Sequence, residues 1–202
     1  MGNKMRKIFL FIILNMIAVS SYSTEHYPEL KLYIDGLVGD VSKVLNDPNV
    51  TEVAKITKSQ DLLVSNLDLE WMARYTLGRY KRGLDQSQID NFTQIYSKYI
   101  TASYTDLVKN YKGEQCKVVN INKIDEAEFI VKMEITKSQG QPPIKVEYFV
   151  RQVQNNHQYI YKISDIITEG ISMINSQQAE FINILENSGF DALITELKKK
   201  YK

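Results

Sequence analysis

The sequence predicts an α+β domain in which a four-stranded antiparallel sheet is covered by helices, and three observations predict it. Phe129, Val131, Met133 and Ile135 alternate with Ile130, Lys132, Glu134 and Thr136. After the turn-like Ser138-Gln139-Gly140-Gln141-Pro142-Pro143 the alternation returns as Ile144, Val146, Tyr148 and Val150. Period-2 alternation of this length is the mark of a half-buried antiparallel sheet. A third run, Tyr159, Tyr161 and Ile163, leads to Glu169-Gly170, where the period becomes that of a helix through Ile171, Ile174, Gln178, Phe181, Ile182 and Leu185. An apolar sheet face is thus followed by an apolar helix able to cover it.

The elements follow in order. Leu30, Ile34, Leu37, Val38, Val41 and Leu45 form one helical stripe that ends near Asp47-Pro48. A second helix over 49–64 carries Val50, Val53, Ile56 and Leu63. Asp68 caps a short helix over 69–77, which Gly78 closes. A basic turn, Arg79-Tyr80-Lys81-Arg82, ends at Gly83. The longest helix, over 86–111, is apolar on more than one stripe and therefore packs on two sides. Strands are expected over 115–124, 127–137, 144–154 and 158–167, joined by short turns into an antiparallel meander. Two helices, over 171–187 and from 191 to about 201, close the chain.

The 202 residues suffice for one domain with a sizeable core, and the net charge of +1 gives no reason to expect nucleic acid as a partner. Lys4, Arg6 and Lys7 precede an apolar run over 8–19, with small residues after it. That is the pattern of a secretory signal peptide, too short for a comfortable membrane span. Cleavage after Ser20 and after Ser23 both fit; with the signal taken as 1–23, a single domain over 24–202 remains. Without the three basic residues, 22 of the 25 cations face 24 anions. The single cysteine, Cys116, excludes an intrachain disulfide and a lipidated cysteine near the processing site.

Residues for chemistry are scarce. There is no nucleophile elbow, no phosphate-cradling glycine loop and no clustered set of metal ligands, so no catalytic residue and no metal site are expected. Only His26 and His157 are available as imidazole bases for the Cys116 thiol. Asp165 ends the last long strand on the same parity as Tyr159, Tyr161 and Ile163, which turns it toward the covered side. There it serves either as an acid or base with a raised pKa or, more plainly, as a cap for the turn into the next helix. The cations Arg74, Arg79, Lys81 and Arg82 form either a solvated face or a contact for acidic proteins and lipid head groups.

Two blocks carry a resemblance. Asp68-Leu69-Glu70-Trp71-Met72-Ala73-Arg74-Tyr75-Thr76-Leu77-Gly78-Arg79-Tyr80 resembles the "MAR-x-x-LG-R" block of the MlaC, or toluene-tolerance, family of periplasmic phospholipid carriers. Tyr161 to Ile174, with Asp165, Glu169-Gly170 and Ser172, is similar to that family's "DV-x-x-EG-[VI]-S" strand-to-helix junction. The likeness runs from about residue 33 to 199. One departure is Gln177-Gln178, where many members carry Tyr-Arg.

The resemblance implies an NTF2-like fold with an internal apolar cavity for lipid acyl chains and the head group near its mouth. It also implies a shuttle between an outer-membrane lipoprotein complex and an inner-membrane ABC transporter with an MCE-domain subunit, maintaining outer-membrane lipid asymmetry. Phospholipid is then cargo, no cofactor is needed, and no bond is made. The rival readings are a cavity enzyme using Asp165 and a solid-core interaction module using the basic cluster. Withdrawing a methylene from water is worth about 0.8 kcal/mol, so one long acyl chain is worth on the order of 10 kcal/mol. Covering it demands an apolar wall. The candidates are Val131, Met133, Ile135, Val146, Tyr148, Val150, Tyr161 and Ile163 from the strands, and Tyr104, Val108, Ile171, Ile174 and Phe181 from the helices. A tryptophan at Val131 is expected to displace lipid from a folded domain.

Overall fold

The computed structural model describes residues 27–109, 111, 113–136 and 142–201. The expected signal peptide, His26 and the centre of the turn over 137–141 lie outside them. Six helices, α1 (Pro28–Asn46), α2 (Glu52–Asn66), α3 (Leu69–Thr76), α4 (Gln86–Lys109), α5 (Met173–Ser188) and α6 (Phe190–Lys199), flank strands β1 (Gln115–Asp125), β2 (Glu128–Thr136), β3 (Ile144–Asn155), β4 (Gln158–Thr168) and β5 (Ile171–Ser172). The basic turn is a 3-10 helix, Gly78–Gly83. Among the described residues no helix is long and apolar enough to cross a membrane.

The sheet has five strands, not four, in the order β1-β2-β3-β4-β5, with each neighbouring pair antiparallel. The extra strand is two residues long and shows no periodicity of its own. A two-residue turn creates it: Glu169 and Gly170 have φ of 51° and 79°, as a primed hairpin turn requires, and this places Ile171 opposite Thr168. Asn156 and His157, with φ of 45° and 67°, make the same kind of turn between β3 and β4. Ile171 is therefore a strand residue, and α5 begins at Met173 behind a Ser172 cap that accepts the Asn175 N–H at 3.1 Å.

Alternation alone misplaces Asp165. The β3–β4 register shifts between Phe149 and Val150: Val150 pairs with Ile163, Phe149 with Asp165 and Tyr148 with Ile166. The bulge at Ser164 turns Asp165 to the parity of Phe149, away from Ile163, and brings Ile166 onto the covered face in its place. The carboxylate is buried, at 5% exposure, and its acceptor positions are occupied. Oδ1 receives the N–H groups of Ile166 (2.8 Å) and Ile174 (3.0 Å), and Oδ2 receives the Ser172 hydroxyl (2.5 Å). A carboxylate at the first turn of α5 also opposes the helix dipole favourably. Capping the strand-to-helix junction is what Asp165 does in this fold.

Asp68 makes the matching junction for α3. Its N–H reaches the carbonyl of Ile163 (2.8 Å), and its carboxylate caps Trp71 N–H (3.3 Å) while binding Arg151 Nη1 on β3 (2.8 Å). The Arg151 guanidinium also lies 4.8 Å from the Trp71 ring centre. At the end of α3, Gly78 has φ of 54°, and a Cβ there would meet Ile182 Cδ1 at 3.0 Å, so glycine suits both the backbone and the packing.

The tightest packing lies among the helices. Leu30 and Ile34 of α1, Met72 of α3, Phe92, Tyr96 and Ile100 of α4, Phe181 of α5 and Leu193 of α6 have no accessible surface. Phe181 meets Phe92 and Tyr96 edge-on at 6.1 and 6.3 Å. Tyr96 donates its hydroxyl to Gln177 Oε1 (2.7 Å), and Gln178 Nε2 caps the carbonyl of Tyr75 (2.6 Å), so both glutamines are committed to the helix interface. Coverage elsewhere is looser. The buried residues of α1 are Leu30, Ile34 and Leu37, all in its first half, and the only fully buried residue of α2 is Ser59.

Asp165→Ala would strand two buried N–H groups and a hydroxyl. The expected loss is about 2–4 kcal/mol at constant m-value in urea unfolding, since each abandoned donor costs about 1–3 kcal/mol before water reaches it. A midpoint within about 0.5 kcal/mol of the parent would show that the junction does not depend on the carboxylate.

Candidate functional site

The strand register stacks the covered face into rows. Cys116, Ile135 and Ile144 form the outermost. Val118, Met133, Val146 and Thr168 come next, then Ile121, Val131, Tyr148 and Ile166, then Phe129, Val150 and Ile163. In the two inner apolar rows and in Val118, Met133 and Val146, burial is almost complete; Val131 and Val150 have no accessible surface. Tyr148 and Ile166 depart from this. They are paired across β3 and β4, and both keep accessible surface although Val131, Val146, Val150 and Ile163 around them keep almost none; Thr168, next to Ile166 along β4, is exposed.

Burial nonetheless pushes the Tyr148 phenol up to about 12, and the Cys116 side chain adds to the shift. The ring packs against the buried core while the side chain keeps some accessible surface. Two of its neighbours on the face are Val131 and Ile166, and among the described residues it has no hydrogen-bond partner. The phenol of Tyr33, also raised to about 12 by burial, donates to Asn66 Oδ1 at 2.9 Å. Around it, Tyr33, Tyr161, Phe129 and Tyr27 form an aromatic chain with ring centres 5.3–6.2 Å apart.

The wall expected from the sequence divides accordingly. Val131, Met133, Ile135, Val146, Tyr148, Val150, Tyr161 and Ile163 share one face of the sheet. Ile174 and Phe181 are buried in α5, and Phe181 is spent on ring contacts inside the helical core. Val108 is buried near the end of α4, and the side chain of Tyr104 lies outside the described residues. Ile171 is 67% exposed on β5, because the two-residue turn holds it in the strand ahead of the helix. Sequence reasoning missed Ile166, since no alternation pattern announces the bulge that brings it inward. The fully closed site of Val131 leaves no room for an indole, so the tryptophan expected to leave a folded domain would overpack the core there.

The basic cluster is partly spent as well. Arg74 binds Glu70 one turn earlier on α3 (3.2 Å), and Arg79 binds Glu186 of α5 and lies over Tyr80. Lys81 and Arg82 are exposed and take no acidic partner among the described residues. The exposed Cys116 has its thiol raised by partial burial and by Glu114, which is the wrong direction for a nucleophile. Among the described residues no three metal-ligating side chains are grouped.

The raised tyrosines make stability depend on alkali. The unfolded chain releases these protons near pH 10 and the folded chain near 12, so their contribution is complete below about pH 10 and is lost as pH rises toward 12. Urea midpoints are expected to hold up to pH 9.5 and then fall, and to fall less in the Tyr33→Phe, Tyr148→Phe double variant. An equal alkaline fall in parent and double variant would assign it to other groups.

Residues 36–199 match the family model of the MlaC protein. The chain is 24% identical over 181 residues to the intermembrane phospholipid transport system binding protein MlaC of Haemophilus influenzae, a match covering 87% of this chain and 82% of that one. It also resembles the solved structure of a phospholipid-binding protein from Ralstonia solanacearum in complex with a phospholipid. There the TM-score is 0.70 at 15% identity, over 85% of this chain and 96% of the other. At that identity the likeness speaks to the fold, whereas the family match takes in both motif-bearing junctions, Asp68 with α3 and Asp165 with α5, and nearly every described element; the chain belongs to the MlaC family.

Proposed function

We propose that this chain is an exported, soluble phospholipid carrier that moves lipid between membranes without chemical turnover. The observation that carries the reading is the uneven closure of one apolar face: Tyr148 and Ile166 stay half-buried beside the fully buried Val131 and Val150, as do Ile135, Ile144 and Tyr161 on the same face. An apolar space there suits acyl chains, and the names of the relatives, a transport-system binding protein and a phospholipid-bound structure, favour the same cargo. Each methylene taken from water contributes about 0.8 kcal/mol, so a chain of ordinary length holds the lipid with no polar anchor in the floor of the site. The engaged oxygens of Asp165 argue against its service as an acid or base.

In this proposal residues 1–23 direct export to the periplasm and 24–202 form one NTF2-like unit whose sheet and helices enclose the lipid. The chain needs no cofactor. It exchanges lipid with an outer-membrane lipoprotein complex and with an inner-membrane ABC transporter bearing an MCE-domain subunit, and so helps to keep the outer membrane asymmetric. Lys81 and Arg82, with Arg74 and Arg79 beside them, are the cations placed for an acidic partner or for a head group.

Native mass spectrometry of the mature protein, with solvent extraction of the same sample, tests the carrier reading. The expected result is an added mass equal to a diacyl phospholipid; a chain that stays bare after incubation with phospholipid vesicles would sink it. The location has its own test. Ile166→Trp grows into the open part of the face, so the variant is expected to fold and to carry several-fold less lipid. Val131→Trp is expected to lose about 1–3 kcal/mol or more through overpacking. Full lipid load in a folded Ile166→Trp would place the cargo elsewhere.

A further inference from the structure

We propose that the hydroxyl of Tyr148 is the hydrogen-bond donor that fixes the oxygen-bearing end of the bound lipid, so that the pocket selects glycerolipids by an acceptor atom as well as by apolar area. This rests on the carrier reading and adds a polar selection to it. Tyr148 projects from the covered face, in the row of Ile121, Val131 and Ile166, all of them aliphatic. A tyrosine at such a position normally finds a partner for its O–H when it is buried. In this chain Tyr33, Tyr75 and Tyr96 do so, on Asn66, Asn175 and Gln177. Tyr148 and Tyr161 have no hydrogen-bond partner among the described residues, and of the two Tyr148 is the more strongly desolvated.

Its position tells which end of a lipid it would meet. The Cys116 side chain is near enough to act on the phenol electrostatically, and Cys116 is exposed on the outermost row of the face. In the strand register the rows outside that of Tyr148 carry the exposed Thr168 and Cys116, so the ring lies between the closed rows and an edge open to water. Oxygen acceptors of a glycerophospholipid, the ester carbonyls and the phosphate, lie between its apolar chains and its hydrated end. An O–H at the boundary between closed apolar rows and an exposed rim is placed for that part of the molecule. Cargo that covers Tyr148 takes this hydroxyl from water, which is costly for an unmet donor unless an acceptor oxygen arrives with the cargo. A hydrocarbon without oxygen leaves the cost in place.

The experiment compares the parent with Tyr148→Phe, using Tyr33→Phe as a control because that hydroxyl is already taken by Asn66. Both proteins are stripped of lipid, checked for folding by circular dichroism, and titrated with four probes: a diacyl phosphatidylglycerol, its dialkyl ether analogue, a diacylglycerol and hexadecane. Tyr148→Phe is expected to bind the diacyl phospholipid roughly three- to tenfold more weakly, the loss of one hydrogen bond, with Tyr33→Phe unchanged. A difference that disappears with the ether analogue assigns the acceptor to an ester carbonyl. One that persists there and disappears with diacylglycerol assigns it to the phosphate. Equal affinities of parent and Tyr148→Phe for the phospholipid overturn the inference and leave the carrier reading standing, as does an equal weakening toward hexadecane, which would reflect packing alone. A parent that takes up none of the probes overturns both.

Discussion

The helices can cover this sheet only because two buried or half-buried carboxylates hold them to it. Asp165 gathers the Ile166 and Ile174 N–H groups and the Ser172 hydroxyl at the point where β4 gives way to β5 and α5. Asp68 joins the first turn of α3 to the backbone of β4 and the guanidinium of Arg151 on β3. A carboxylate with its lone pairs satisfied by fixed N–H donors is stable away from water, and it fixes direction as well as position. Because α5 leaves the sheet at the angle set by Asp165, Phe181 can meet Phe92 and Tyr96, and Gln177 can take the Tyr96 hydroxyl.

That arrangement closes the core unevenly. The aromatic and aliphatic contacts of α3, α4, α5 and α6 close around Phe92 and Phe181, whereas the second half of α1 and most of α2 bury little completely. A protein whose whole core were packed to crystal-like density would have no place for a guest. Packing is concentrated among the helices, and part of the sheet face is only half-buried. The outcome is a division within one apolar surface. Val131 and Val150 are closed off completely, and Tyr148 and Ile166, next to them on the same face, keep accessible surface.

The polar groups follow the same economy. The surface cations Arg79, Lys81 and Arg82 lie on one 3-10 turn, and Arg79 is paired with Glu186. Such pairs on the surface contribute little to stability, so their value lies in the orientation they impose. Neither Asp165 nor Cys116 is left poised for chemistry: one is saturated with donors, and the other is shifted toward the inert thiol.

Much of this was legible in the residues. The alternation through Phe129–Ile135 and Ile144–Val150 gave the core strands and their common face, Asp68 and Gly78 marked the ends of α3, and Asp165 was identified as a cap among its possible roles, because period, capping and turn chemistry are local properties of a chain. Local rules could not supply β5, since two residues show no period and Ile171-Ser172 pairs only because Glu169 and Gly170 both adopt positive φ. Nor could they supply the Ser164 bulge, which reverses the parity of Asp165 and turns Ile166 inward. Least of all could they tell Val131 from Tyr148, two residues paired across adjacent strands with the same orientation. The sequence by itself determined the core strands and, up to the Ser164 bulge, which of their side chains share a face. How closely the helices approach at each point, and so which of the side chains are fully buried and which keep accessible surface, is a matter of distances between elements far apart in the chain, and only the tertiary structure decided it.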